Sequence, residues 1–320
     1  MTELATDIQQ PVAQRRVYNP YQQFWRRFRR NHLAFISLFF IAFLAVIAFL
    51  WSGDPVPTSE VEKVNPLLKP FDAIRRLPYD PNDTILEEKL QPPSSRHILG
   101  TDQLGRDVLS RMLHGARISL TVGFVAIGIS VTIGITMGAM AGYWGGWVDT
   151  LLMRFVDIMM NFPRFLLVIT VVALLDKPSY WWIIIVLGLT GWTGTARFVR
   201  AEFLSLRERD YVVAVKALGA GPARIMFKHM LPNGVAPVMV SATLGVAGAI
   251  LTEASLSFLG FGVQPPQATW GSILAEGRTF VLDAWWLTAF PALAVLLTVL
   301  AFNLLGEGLR DALNPKLSEG

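Results

Sequence analysis

RAEFLSLRERDYVVAVKALGAGPARIMFKHMLPN, residues 200–233, lies between two long apolar runs of a 320-residue chain. A connection between neighbouring helices takes about 2–8 residues, so this one does more than turn the chain. Tyr211, Val212, Val215 and Leu218 recur near helical spacing and Gly219 and Gly221 interrupt them. Pro222 suits the opening turn of a second helix, continued by Ile225, Met226 and His229. The pattern predicts two short helices joined at a glycine hinge. Held outside a bundle, such an amphipathic pair needs a partner protein to cover its apolar face.

Outward from this segment, the chain reads as a protein dissolved in lipid. It is 16% charged and 52% hydrophobic, against about 25% charged in soluble domains. Residues 33–51, 118–144, 230–252 and 284–306 carry no charge, and each approaches or exceeds the roughly 20 residues that cross a bilayer. Two further runs are interrupted: 158–175 holds Asn161, Pro163 and Arg164, and 181–196 leads into Arg197 and Arg200. Their charges lie toward one end, where long side chains reach the interface. The expected fold is an all-α membrane protein with six transmembrane helices. It divides into an N-terminal segment (1–31), a first span (32–51), an external loop (52–117), a five-helix core (118–311) that includes the loop 203–230, and a tail (312–320).

The formal net charge of +4 fits either nucleic-acid binding or membrane orientation, and its distribution decides for the second. Arg15, Arg16, Arg26, Arg27, Arg29 and Arg30 precede the first span. Arg197, Arg200, Arg207, Arg209, Lys216, Arg224 and Lys228 lie in or beside the segment 200–233. The positive-inside rule puts both groups in the cytoplasm, and six spans return the C-terminus there. The segments 176–180 and 259–283 then fall outside, together with 52–117, which is long enough to cross despite its basic residues. The first apolar run is too long for a cleaved signal peptide and no A-x-A site follows, so it reads as an anchor. With no cysteine, neither disulfides nor thiolate metal sites arise, and His32, His97, His114 and His229 show no ligand spacing.

Residues 1–18 are polar and read as disordered, and 53–93, rich in proline and mixed charge, as irregular. Phe24, Trp25 and Phe28 among four arginines suggest a short interfacial helix with its arginines on membrane-lipid phosphates; an ordinary charged flank is the other reading. Gly134, Gly138 and Gly142, four apart, predict close helix packing. Arg154 and Asp157 share a helix face and are expected to pair. Glu253, inside an apolar run, is either a functional acid or a structural hydrogen-bonding group near the outer interface. Trp285 and Trp286 read as an aromatic belt pair, and Glu307 and Arg310 as a solvated helix end with the spacing for a local ion pair.

The segment 210–233 also carries a family pattern: an alanine-containing triplet around Ala214, Gly219 after it, and Leu231-Pro232 after a further gap. This is similar to the cytoplasmic coupling loop of binding-protein-dependent ABC importers, with Val213 and Val215 where that pattern prefers glutamate and alanine. LGTDQLGRDVLSRMLHGARISL (99–120), LSFLGFGVQPPQATWG (256–271) and AFNLLGEGLRDALNPK (301–316) extend the likeness. Over about 99–316 the chain resembles the second, C-type permease subunit of dipeptide/oligopeptide importers. The N-terminal region and the longer first external loop depart from a typical member.

The resemblance implies the fold of a type I ABC importer transmembrane domain in the bacterial inner membrane. It also implies a non-enzymatic transport subunit working with a second homologous permease, two ABC ATPases and an extracytoplasmic substrate-binding protein. ATP and Mg would sit on the ATPases, since this chain has no G-x-x-x-x-G-K-[ST], and no cofactor is expected here. Coupling falls to Asp210, Tyr211, Ala214, Lys216, Ala217, Leu218, Gly219, Ala220, Arg224, Ile225, Leu231 and Pro232. The segments 100–117 and 262–277, with Asp102, Arg106, Asp107 and Trp270, are expected to form the outer gate or meet the binding protein; capping at the membrane interface is the alternative. An ion-coupled carrier acting alone is the competing function, predicting related halves or midplane ionisable groups. A membrane-embedded enzyme would need a convergent acid, base or metal set that is not apparent. Peptides lead as substrate, with nickel chelates, glutathione and oligosaccharides as alternatives in the same family.

Overall fold

A computed structural model describes residues 20–50, 79–175 and 179–313. The polar stretch 1–18, residues 51–78 of the first loop, most of the connection 176–180 and the tail from 314 onward lie outside the described residues.

The described residues are helical throughout, apart from connecting segments and one isolated bridge between Thr101 and Asp107. α1 (Pro20–Arg30) and α2 (His32–Leu50) are separated by Asn31, whose side-chain oxygen accepts a hydrogen bond from the backbone N–H of Ala34 at 3.1 Å. α1 folds back so that Phe28 is buried beside Ala34 and Ala312. α3 (Val108–Trp144) has 37 residues, about 55 Å at 1.5 Å per residue, well beyond the ~30 Å hydrocarbon layer. It starts before the apolar run because Asp107 caps it, accepting from Ser110 N–H at 2.8 Å. Residues 108–117, expected in the external loop, are therefore the first turns of this helix.

The third span departs from expectation. It is two helices, α4 (Gly146–Asn161) and α5 (Arg164–Ala173), bent by 76°. Pro163 cannot donate a helical hydrogen bond and pushes Phe162 to an extended backbone, so the helix breaks there. α6 (Tyr180–Leu206) leads into α7 (Asp210–Ala217). The second short helix expected after Gly221 is instead the start of α8 (Pro222–Phe258), which runs through a π turn at Ile225–Met230 directly into the fifth span. α9 (Trp270–Gly277) and α10 (Trp286–Leu313) complete the described residues. Five helices are long and apolar enough to span, or six when α4 and α5 count as one.

α3 and α6 form the closest pair. A Cβ on Gly134 would lie 2.6 Å from Thr195, and one on Gly142 would lie 2.6 Å from Phe203. The expected glycine stripe is thus a packing seam that lets two backbones approach. α8 crosses α3 and α10, while α2 lies against α10. Trp286 is not a belt residue: it is buried, and its Nε1–H donates to Thr101 O at 3.1 Å, whereas Trp285 is exposed.

Candidate functional site

α7 is short and barely amphipathic, and three local devices hold it. Asp210 in its first turn and Lys216 in its last complement the helix dipole. Its C-terminus closes through Gly219 N–H to Lys216 O (3.0 Å) and Ala220 N–H to Val215 O (3.3 Å). That paired closure requires a left-handed residue, and Gly219 supplies it at φ +80°. Val212 is buried and Val215 and Ala220 are half-buried, in one cluster with Phe203, Leu206, Met226 and Met230. α7 is thereby seated on the ends of α6 and α8.

Its other face is bare. Asp210, Tyr211, Ala214, Lys216, Ala217 and Gly219 are exposed, as are Arg224 and Pro232 nearby. Val213 is 55% and Leu218 86% exposed, so large apolar side chains stand open on a rigid knob. Ile225, expected on this surface, is instead buried, because the π turn aims Ile225, Met226 and Met230 inward; Leu231 is half-buried in the same cluster. Both residues anchor the knob from below.

Behind α7, ion pairs tie α6 to α4. Arg200 bonds Asp149 through both Nε and Nη2, the latter at 2.6 Å to Oδ2. Arg197 Nη2 reaches Asp157 Oδ1 at 2.5 Å. The expected Arg154–Asp157 pair does not form; Arg154 is exposed. Glu307 and Arg310 are also exposed, with no ion pair between them among the described residues.

At the opposite end of the bundle, the loop before α3 and helix α9 are locked by four charges. Arg106 Nε donates to Asp102 Oδ2 at 2.6 Å, and its Nη2 to Glu276 Oε2 at 2.8 Å. Arg111, 1% exposed, donates from Nη1 and Nη2 to Glu276 at 2.7 and 3.0 Å and also bonds Asp102. Two cations against two carboxylates, hydrogen-bonded on several sides, offset the cost of burying each charge. Asp107 caps α3 with one oxygen and accepts from His97 Nδ1 at 2.9 Å with the other. The Trp270 indole donates to Met112 O at 3.1 Å. Asp102, Arg106, Asp107 and Trp270 are thus all buried within the chain, and whatever they do toward a partner passes through the loop and helix they hold. Arg111 and Glu276 were not singled out from sequence, and nothing in the pattern around Glu276 signals a partner 165 residues away.

Glu253 is fully buried near the end of α8. Ser257 and Thr269 hydroxyls donate to Oε1 at 2.7 and 2.8 Å, and the Ser119 hydroxyl lies 3.5 Å from Oε2. Thr269 is also the N-cap of α9. Its side chain therefore links α3, α8 and the N-cap of α9 through hydrogen bonds. A cavity of about 790 Å³ opens between Val172 and Leu175 at the end of α5 and Gln264 and Gln267 before α9. Among the described residues no group of His, Asp and Glu could hold a metal.

Five helices of membrane-crossing length, or six with the bent pair, give the described residues the build of a multi-pass membrane protein. The chain belongs to the binding-protein-dependent transport system inner membrane components, whose family model matches residues 134–319. Residues 19–93 match the N-terminal TM domain of oligopeptide transport permease C. The dipeptide transport system permease protein DppC of Alkalihalophilus pseudofirmus is 38% identical over 96% of this chain and 93% of its own length. The glutathione transport system permease protein GsiD of Pectobacterium atrosepticum is 40% identical over 96% and 94%. The di/tripeptide transport system permease protein DppC of Pseudomonas aeruginosa is 40% identical over 93% of each. Family membership displaces the lone ion-coupled carrier.

Proposed function

We propose that this chain is one of two related permeases of an ABC importer for di- or oligopeptides, with α7 as the helix gripped by a partner ATPase. The carrying observation is the bare face of α7: Val213 and Leu218 stand open while Val212 and Val215 bolt the helix to the bundle. A rigid apolar projection fits a groove in another protein. A cytoplasmic position for this end and for both termini is supported by the basic residues of α1 and of 197–228 through the positive-inside rule.

Force on α7 passes into α6, and the Arg197–Asp157 and Arg200–Asp149 pairs carry it to α4. The elbow at Pro163 then turns that movement into α5, at the wall of the outer cavity. The Asp102–Arg106–Arg111–Glu276 cluster keeps the loop before α3 and α9 in the shape offered to a loaded binding protein. Two of the relatives cited carry names for di- or tripeptides, and the glutathione relative is itself named for a small peptide, so peptide is the substrate class favoured here.

The chain lacks cysteine, so Lys216→Cys gives a single thiol on the knob. In membranes containing the assembled importer it should cross-link to an ATPase subunit and resist impermeant thiol reagents added from outside. A thiol at this position that reacts from outside, or finds no nucleotide-hydrolysing neighbour, would sink this reading.

A further inference from the structure

A groove of about 630 Å³ runs between α8, α9 and α10, lined by Leu251, Phe258, Leu274, Ala292, Leu296 and Val299 among others, almost wholly apolar. Along α8 it ends at the helix terminus. Along α10 it covers Ala292 to Val299, about 9 to 20 Å inward of Trp286 at 1.5 Å per residue. One leaflet's hydrocarbon is about 15 Å deep, so the groove runs from within one leaflet's tails to about the middle of the bilayer. At its lip stands Arg278, exposed, one helical turn after Leu274. Its guanidinium lies 5.8 Å from the Phe258 ring centroid, and Nη1 donates to Phe258 O at 3.1 Å. These two contacts hold the side chain on Phe258, at one end of the groove, and occupy one of its five N–H donors. Exposed Trp285 marks the same level as an interfacial anchor.

From this arrangement we infer that the groove is a binding site for an anionic glycerophospholipid, one acyl chain between α8 and α10 and the phosphate on Arg278. An apolar slot alone would fit a helix of the second permease as well. The cation held at its mouth, at headgroup level, is what selects a lipid: a charged head joined to an apolar tail matches both halves of the site. A chain seated there would wedge α9 against α8 and α10 and so brace the helix that carries Glu276. The inference rests on the proposed orientation only for which leaflet supplies the lipid.

The test uses the assembled importer in detergent, with bound phosphatidylglycerol and phosphatidylcholine counted by native mass spectrometry after exchange against each lipid. Arg278→Gln should lower the preference for phosphatidylglycerol about fivefold, the equivalent of ~1 kcal/mol for one cation at an anionic surface, while the number of bound lipids stays the same. Ala292→Trp, introduced from the open side, should remove one tightly bound lipid per complex; Leu296→Trp repeats the test should that variant fail to assemble. Unchanged lipid number and preference in the variants would overturn the inference. So would a disulfide between Ser255→Cys and a cysteine placed on the second permease, which would give the groove to a protein helix. Co-purification of the ATPases in every variant keeps the outcome separate from the importer reading.

Discussion

Gly219 offers a sharp test of the knob, because two glycines in one turn have opposite backbones. Gly219 sits at φ +80° and Gly221 at φ −71° and ψ 156°, and a Cβ on either would meet no atom within 4 Å. Sterics therefore cancel, and only the backbone distinguishes them. A left-handed conformation costs an L-residue about 1–2 kcal/mol, whereas serine is a favoured N-cap in the extended conformation of Gly221. Gly219→Ser should destabilise the closure of α7 by that amount. If the closed turn is the form the ATPase binds, its apparent affinity falls about 5–30-fold. Gly221→Ser should be neutral or slightly favourable. The assay is titration of purified ATPase onto permease in lipid nanodiscs, with hydrogen exchange of residues 210–220 as the check on local order. Equal effects at the two positions, or none at 219, would refute the role given to this turn.

Gly138→Leu should prevent stable association of α3 with α6, since its Cβ would already lie 2.8 Å from Val199 and 3.0 Å from the backbone of Arg200, while Gly128→Leu, with nothing within 4 Å, should fold normally; detergent-solubilised yield and thermal unfolding separate them. Glu253→Leu should destabilise by about 1–3 kcal/mol for each hydroxyl left without its acceptor, and Glu253→Gln by less because one oxygen remains; unfolding followed by tryptophan fluorescence in detergent measures both. Arg200→Ala costs up to about 1 kcal/mol in stability, its side chain being one-third exposed, but should sharply reduce substrate-stimulated ATP hydrolysis. The exchange Asp149→Arg with Arg200→Asp should recover that stimulation in proteoliposomes, which loss of packing alone would not permit.

The spans were legible because lipid imposes a simple rule: long uncharged runs must be helices. The glycine stripe on α3 and the reversing turn at Gly219 were legible too, since each depends on one residue's missing side chain. Boundaries were harder. α3 begins before its apolar run because Asp107 caps it, and α8 begins at Pro222 because a π turn carries the helix through a polar stretch. Hydropathy registers neither device. Pro163 was visible as an interruption, but a 76° elbow depends on how α4 and α5 pack against α6.

The polar contacts were the least legible, and Asp157 shows why. Spacing along one helix offers it Arg154, three residues back, and that rule holds for an isolated helix on which nothing else competes. Packing α4 against α6 brings Arg197 to the same carboxylate, 40 residues away in sequence, while Arg154 stays exposed and needs no protein partner. The same competition assigns Asp149 to Arg200 and Glu276 to Arg106 and Arg111. For Asp149 and Glu276, both largely buried, the cation on a neighbouring element replaces the water that burial removes; the Arg197–Asp157 pair is about half-exposed, and there the helix packing supplies only proximity. A local pattern can name a charge that needs a partner, but only the helix packing decides which one reaches it.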